Sequence, residues 1–93
     1  MRARVELQKA AQKGLQRAPK QIRTKFRVWV GSVLEDGLQE TRKRPGWHDE
    51  PLKGERAGQR SVRLNRTWRA IYEVDQAGDV ELVMVEEVTP HEY

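Results

Sequence analysis

The apolar residues of this 93-residue chain change their period about two-thirds of the way along it, and that change constrains the fold more than any other feature. Ile22, Phe26, Trp29, Val30 and Val33 recur at intervals of 4, 3, 1 and 3, which lays one apolar stripe along an α-helix. Beyond residue 59 the pattern becomes that of strands, in three short runs over residues 60–64, 68–74 and 80–88. The connecting residues, Asn65-Arg66-Thr67 and Asp75-Gln76-Ala77-Gly78-Asp79, have turn chemistry and predict an antiparallel meander. A helical front followed by a strand-forming back implies an α+β domain.

The front divides further. Residues 8–16 favour helix, with Leu7, Ala11 and Leu15 at four-residue spacing and Ala10 beside them, and Gly14 weakening the run near its end. Pro19 suits the first turn of a second helix that stops near Gly37. Lys20, Arg23, Lys25 and Arg27 fall largely opposite its apolar stripe, so two antiparallel amphipathic helices joined by a tight Ala18-Pro19 turn are expected. Before them, residues 4–7 alternate polar with apolar and fit either a short edge strand or the start of a helix. Residues 38–58 lose all periodicity and read as a long, ordered, functional loop, anchored to the body of the protein by Trp47. In the last strand Leu82 and Met84 face one way and Val83 and Val85 the other, as expected of a central strand shielded on both sides. The expected architecture is a single domain over residues 1–93. An N-terminal helical hairpin packs on a small, mainly antiparallel twisted sheet, with a possible short N-terminal edge strand.

Composition then excludes several chemistries. The chain has no cysteine, which removes disulfides, thiol catalysis and Cys-ligated zinc, and two histidines are a poor basis for a structural metal site. Neither a cofactor nor a metal is expected. The N-terminal residues lack the apolar core of a signal peptide and no run approaches a membrane span, so a cytoplasmic protein without membrane contact is expected. Charge is strongly segregated. All 18 Lys and Arg lie in residues 1–69 with 7 acids, net +11, whereas residues 70–93 hold the other 7 acids and no Lys or Arg, net −7. Twelve of the cations are arginine, which grips phosphate bidentately and stacks on bases, so a nucleic-acid partner is favoured; an acidic protein partner fits the same bias.

Strand alternation sorts these cations. With Val62 and Leu64 directed at the helices, Arg63 points away from them, and with Trp68 and Tyr72 in the core Arg69 does the same. Arg63 and Arg69 then form a guanidinium cluster on the outer face, beside a loop bearing Lys53, Arg56 and Arg60, with Arg66 in the turn between the strands. The competing expectation is a Glu–Arg cross-strand ladder in which Glu73, Glu81, Glu86 and Glu87 neutralise the arginines.

Over nearly its whole length the chain resembles the RelE/HigB toxins of bacterial type II toxin–antitoxin systems, within the RelE/ParE superfamily. The resemblance is carried by PLKG followed by a Gly-containing turn, by a strand ending in RLNR, by WRAIY, which fits the family pattern of Trp or Tyr, Arg, two residues, then Tyr or Phe, and by the C-terminal His91 and Tyr93. It implies a RelE-like fold of the microbial-ribonuclease type. It implies also an endoribonuclease that cleaves messenger RNA on the ribosome, through attack of the ribose 2′-hydroxyl on the adjacent phosphorus to give a cyclic phosphate. Such an enzyme inhibits translation, needs no metal, and is silenced by a cognate antitoxin, expected to be a small helix-turn-helix protein. A ParE-like inhibitor of DNA gyrase that cleaves nothing, and an inert nucleic-acid-binding module, are the alternatives.

By the resemblance Arg69 takes the place of the strand arginine on the scissile phosphate, and Lys53, Arg60 and Arg63 are further phosphate-binding groups, with Arg56 and Arg66 also expected to bind substrate. His91 and Tyr93 occupy positions at which the superfamily often carries its proton-transfer groups. Histidine titrates near neutrality, and an arginine-rich face would lower a tyrosine's pKa, so either can be base or acid. Glu86 and Glu87 are outside candidates for the base. Related toxins place a histidine just before the PLKG segment. Here Asp49 and Glu50 intervene, and a loop His48 hydrogen-bonded to one of them is expected ahead of a substrate-binding one.

Overall fold

A computed structural model describes residues 2–90. Strand β1 (Arg2–Leu7) leads into helices α1 (Lys9–Arg17), α2 (Lys20–Asp36) and α3 (Leu38–Lys43), then strands β2 (Glu50–Pro51), β3 (Arg60–Arg63), β4 (Trp68–Ala77) and β5 (Val80–Pro90). Single 3₁₀ turns stand at Pro45–Trp47 and Gly54–Arg56. The five strands form one sheet in the order β1-β5-β4-β3-β2, antiparallel except where β1 runs parallel to β5. The ambiguous N-terminal run is therefore the edge strand. Its Ala3, Val5 and Leu7 lean on the core while Arg2, Arg4 and Glu6 face water.

The helices bury most of the residues that their spacing selects, with Val30 and Leu15 only half-buried and Ala10 exposed. Ile22, Phe26, Trp29 and Val33 of α2 and Ala11 of α1 meet Val62, Leu64, Ala70, Tyr72, Val83, Val85 and Val88 from the sheet. Trp29 lies between Phe26 and Tyr72, with ring centroids 5.9 and 5.4 Å away, close enough for favourable tilted ring contacts. Gly14 explains how closely α1 can sit on the sheet: a Cβ there would lie 1.9 Å from the Val88 carbonyl oxygen.

Three expectations need correction. The stretch 38–58 is not simply a loop, because Gly37, at φ 87°, ends α2 and a six-residue helix follows at once. The Thr41 hydroxyl donates to the Gly37 carbonyl oxygen and shares a hydrogen bond with the Ser32 hydroxyl, which ties α3 to α2. Nor is β5 equally shielded on its two faces. Val83 and Val85 are buried but Leu82 and Met84 only half-buried, since the helices cover one side of the sheet. Trp68 is likewise half-buried against the core, not within it.

Candidate active site

Antiparallel register brings the site together. Arg63 on β3 lies directly opposite Arg69 on β4, as side-chain alternation predicts, so two guanidinium groups rise from neighbouring positions on the face away from the helices. Like charges opposite one another are unfavourable in a ladder. Among the described residues neither has an ion-pair partner, and the expected Glu–Arg ladder does not form around them. Arg69 Nε is moreover buried and makes no hydrogen bond within the described chain. A buried cationic donor left without an acceptor is costly unless an external anion completes it.

The turn between β3 and β4 fixes the end of this cleft. Asn65 Oδ1 accepts from the backbone N–H of Thr67 at 2.7 Å and of Trp68 at 2.6 Å, an Asx arrangement that closes a short connection and sets Arg66 and Trp68 at its rim. On the opposite side the 44–51 segment alternates sharply. Trp47 is buried beneath Lys25, whose Nζ stands 4.8 Å from its ring centroid, and the Asp49 carboxylate is 1 % exposed. His48 and Glu50 between and after them turn outward. His48 achieves this with a left-handed backbone, φ 46° and ψ 46°, the sole non-glycine positive φ among the described residues. Such a conformation is sparsely populated and is found at positions that the surrounding structure over-determines.

The resulting cleft, about 50 Å³, is lined by His48, Glu50, Arg63, Arg66 and Arg69, with Ser61, Asn65 and Trp68 completing the walls. His48 makes no hydrogen bond to Asp49 or Glu50, contrary to expectation, because Asp49 is turned inward to other partners. Tyr72 Oη donates to Asp49 Oδ2 at 2.5 Å, Arg60 Nε donates to Oδ1 at 2.6 Å, and Arg42 Nε stands 4.0 Å from Oδ1. Burial, followed by the Asp49 hydrogen bond, pushes the Tyr72 phenol well above its ordinary pKa. Burial acts to lower Arg60, but the hydrogen bond and charge of Asp49 outweigh it and raise that guanidinium.

Of the cations singled out in the sequence, Arg63, Arg66 and Arg69 thus share the cleft with His48, and the others do not. Arg60 is committed to Asp49. Arg56 is paired with Glu87 at 2.5 Å and donates to Gln59 at 3.0 Å. Lys53 is exposed at the start of the Gly54–Arg56 turn, off the cleft. Glu87 is occupied by Arg56. Glu86 is the extra residue of a β-bulge opposite Ile71 and Tyr72, where burial, a hydrogen bond to Glu73 and the charges of Glu73 and Glu87 raise its pKa. His91 and Tyr93 lie outside the described residues. The sequence reading missed Glu50: its face follows from pairing with Ser61 in a two-residue strand, too short to show in any periodicity.

The described residues contain no group of His, Cys, Asp and Glu suited to hold a metal ion, and none of their helices is long and apolar enough to cross a membrane. Neither a family model nor a curated protein sequence matches the chain. Solved structures do. The YoeB/ParE toxin from Agrobacterium tumefaciens is 21% identical over 99% of this chain and 100% of its own, with a TM-score of 0.67. YafQ from E. coli strain BL21(DE3) is 19% identical over 98% of this chain and 94% of its own, with a TM-score of 0.74. The YoeB of a YoeB–YefM complex from Staphylococcus aureus is 20% identical over 99% and 100%, with a TM-score of 0.70. Helices packed on a five-stranded mixed sheet with an N-terminal edge strand are, in this chain, the fold of the YoeB and YafQ toxins.

Proposed function

We propose that the chain is the toxin of a type II toxin–antitoxin pair and an endoribonuclease that cleaves messenger RNA on the ribosome. The observation that carries this reading is the Arg63–Arg69 pair, opposed on adjacent strands without a carboxylate between them, in a cleft that also presents His48 and Glu50. RNA cleavage through the 2′-hydroxyl needs a base for that hydroxyl, an acid for the departing 5′-oxygen, and cations for charge building on the nonbridging oxygens. Arg69 and Arg63 supply the cations. Arg69 presents its unsatisfied Nε–H to the phosphoryl oxygen, and Arg66 at the rim guides the flanking backbone.

Two sets of groups compete for proton transfer. Glu50 and His48 stand on the cleft wall, where the carboxylate is placed beside the arginines to accept the 2′-hydroxyl proton. His91 and Tyr93, which follow Pro90 in the sequence, are the candidates that the family resemblance supplies. In our reading Glu50 is the base, and a histidine, His91 or His48, returns the proton to the 5′-oxygen. No step calls for a metal or cofactor. Support for a cognate antitoxin comes from the fold's occurrence in the DinJ-YafQ and YoeB-YefM complexes. An acidic antitoxin segment placed over Arg63 and Arg69 would close the cleft.

The test is expression in bacteria with mapping of new messenger-RNA ends, alongside Arg69→Ala. New fragments with 5′-hydroxyl and cyclic-phosphate termini, lost in the variant, are expected. Growth arrest with intact transcripts and damaged DNA would instead place the chain with the ParE-like gyrase inhibitors.

A further inference from the structure

A second concavity adjoins the cleft and has no role in the reaction as described. It is a groove of about 240 Å³ between α1 and the end of β5, walled by Lys13 and Arg17 on one side and by Trp68, Thr89 and Pro90 on the other. Its floor is the contact in which Gly14 lies against the Val88 backbone, so the groove exists because α1 can approach β5 so closely there. Trp68 belongs to both concavities. Half-buried against the core, Trp68 is the residue at which the two adjoin.

The charges around the groove are one-sided. No acid occurs between Glu6 and Glu35, whereas seven Lys and Arg do. Lys13 and Arg17 are exposed, stand one helical turn apart on the same face of α1, and have no partner among the described residues. The one described acid in the groove, Glu87, is neutralised by Arg56 at 2.5 Å.

We propose that this groove is a second RNA subsite, which takes the sugar-phosphate of a nucleotide adjoining the cleaved one. Lys13 and Arg17 hold its phosphate, and Trp68 is the aromatic ridge over which the strand passes. This rests on the ribonuclease reading above. A continuous strand gripped at Arg63 and Arg69 must leave the cleft, and past Trp68 it meets unpaired cations beside an aromatic face, the combination that binds single strands without sequence preference. An acidic protein segment would use the same cations, but it would have no need of an aromatic residue shared with the arginine cleft.

The test measures binding of 2′-O-methyl RNA, which lacks the attacking hydroxyl, as a labelled dinucleotide and as a labelled hexanucleotide. Lys13→Gln/Arg17→Gln is expected to weaken the hexanucleotide about tenfold and reduce its salt slope by about 2, while the dinucleotide changes less than about twofold. Lys13→Arg/Arg17→Lys should restore binding. The charge-matched Lys20→Gln/Arg27→Gln, on α2 outside the groove, should cost the hexanucleotide no more than about twofold. Equal losses from the two double variants would overturn the proposal in favour of overall charge. Unchanged RNA binding with a weakened antitoxin complex would overturn it in favour of a protein site. The cleavage reading fails separately: wild-type protein that leaves messenger RNA intact while the length-dependent loss persists keeps the subsite and removes the reaction. Cleavage without that length dependence removes the subsite alone.

Discussion

The Tyr72 hydroxyl donates a 2.5 Å hydrogen bond to Asp49 Oδ2, joining the centre of β4 to the segment that carries His48 and Glu50. Arg60 takes the other carboxylate oxygen, so an almost wholly buried charge is satisfied from two strands at once. Residues 48 and 50 are oriented by the residue between them.

That arrangement makes Asp49 expensive to lose. Asp49→Ala strands the Tyr72 hydroxyl and removes the counter-charge of Arg60, and should cost about 3–5 kcal/mol of stability in urea unfolding. Tyr72→Phe leaves one carboxylate oxygen short of a donor and should cost about 1–3 kcal/mol. The two also differ in alkali. A phenol whose folded pKa is raised stabilises fully below its unfolded value of 10.0 and loses that contribution as pH climbs above it. Wild-type stability should therefore fall above pH 10 more steeply than that of Tyr72→Phe; parallel curves would show that Tyr72 does not carry the effect.

Two helical glycines should respond to alanine with opposite signs. At Gly14 the new Cβ would meet backbone atoms of Val88 at 1.9 and 2.9 Å, and main chain in a paired strand cannot step aside. The gain of about 1 kcal/mol in helix propensity is outweighed, and Gly14→Ala should destabilise by about 1–3 kcal/mol or more. Gly31 in α2 has nothing within 4 Å of a built Cβ, so Gly31→Ala should raise stability by about 0.5–1 kcal/mol. Thermal melts of the two variants decide the matter.

The same glycine marks where the sequence stops being informative. Periodicity located both long helices, three strands and the outward face of Arg63 and Arg69, because burial of a stripe or a face repeats along the chain. It could treat Gly14 only as a weak helix former, since the Val88 carbonyl that makes it necessary is 74 residues away. Contacts of that kind also decided the cations. Arg60 and Arg56 look no different in sequence from Arg63 and Arg69, yet the first two meet Asp49 and Glu87, 11 and 31 residues distant. Helix α3 and strand β2 are too short to show a period, which is why Glu50 went unnoticed.

Glu86 gives a prediction in the acid range. Its folded pKa is raised above 4.5 by burial and by Glu73 and Glu87, so its ionisation works against the fold as pH rises from acid to neutral. Glu86→Gln should melt higher than wild type at pH 7, and the advantage should vanish below pH 4, where both side chains are uncharged. A difference that stays constant with pH would point to packing at the bulge instead of charge.

The opposed arginines should trade stability for activity. Arg63 is exposed, and its register partner is another arginine, so Arg63→Gln relieves repulsion and should leave the melting temperature unchanged or slightly raised, worth a few tenths of a kcal/mol. Cleavage should nevertheless fall by about 10²-fold, the usual loss on removing one donor from a preorganised oxyanion site. Arg69→Lys is the sharper case. A lysine keeps the charge but cannot supply the donor now buried at Nε, so at this position retained charge should not retain rate. Cleavage assays on programmed ribosomes, with melts of the same preparations, read both quantities. Rates that survive Arg69→Lys would mean that the cleft supplies a diffuse field, with no directed hydrogen bond to the phosphate.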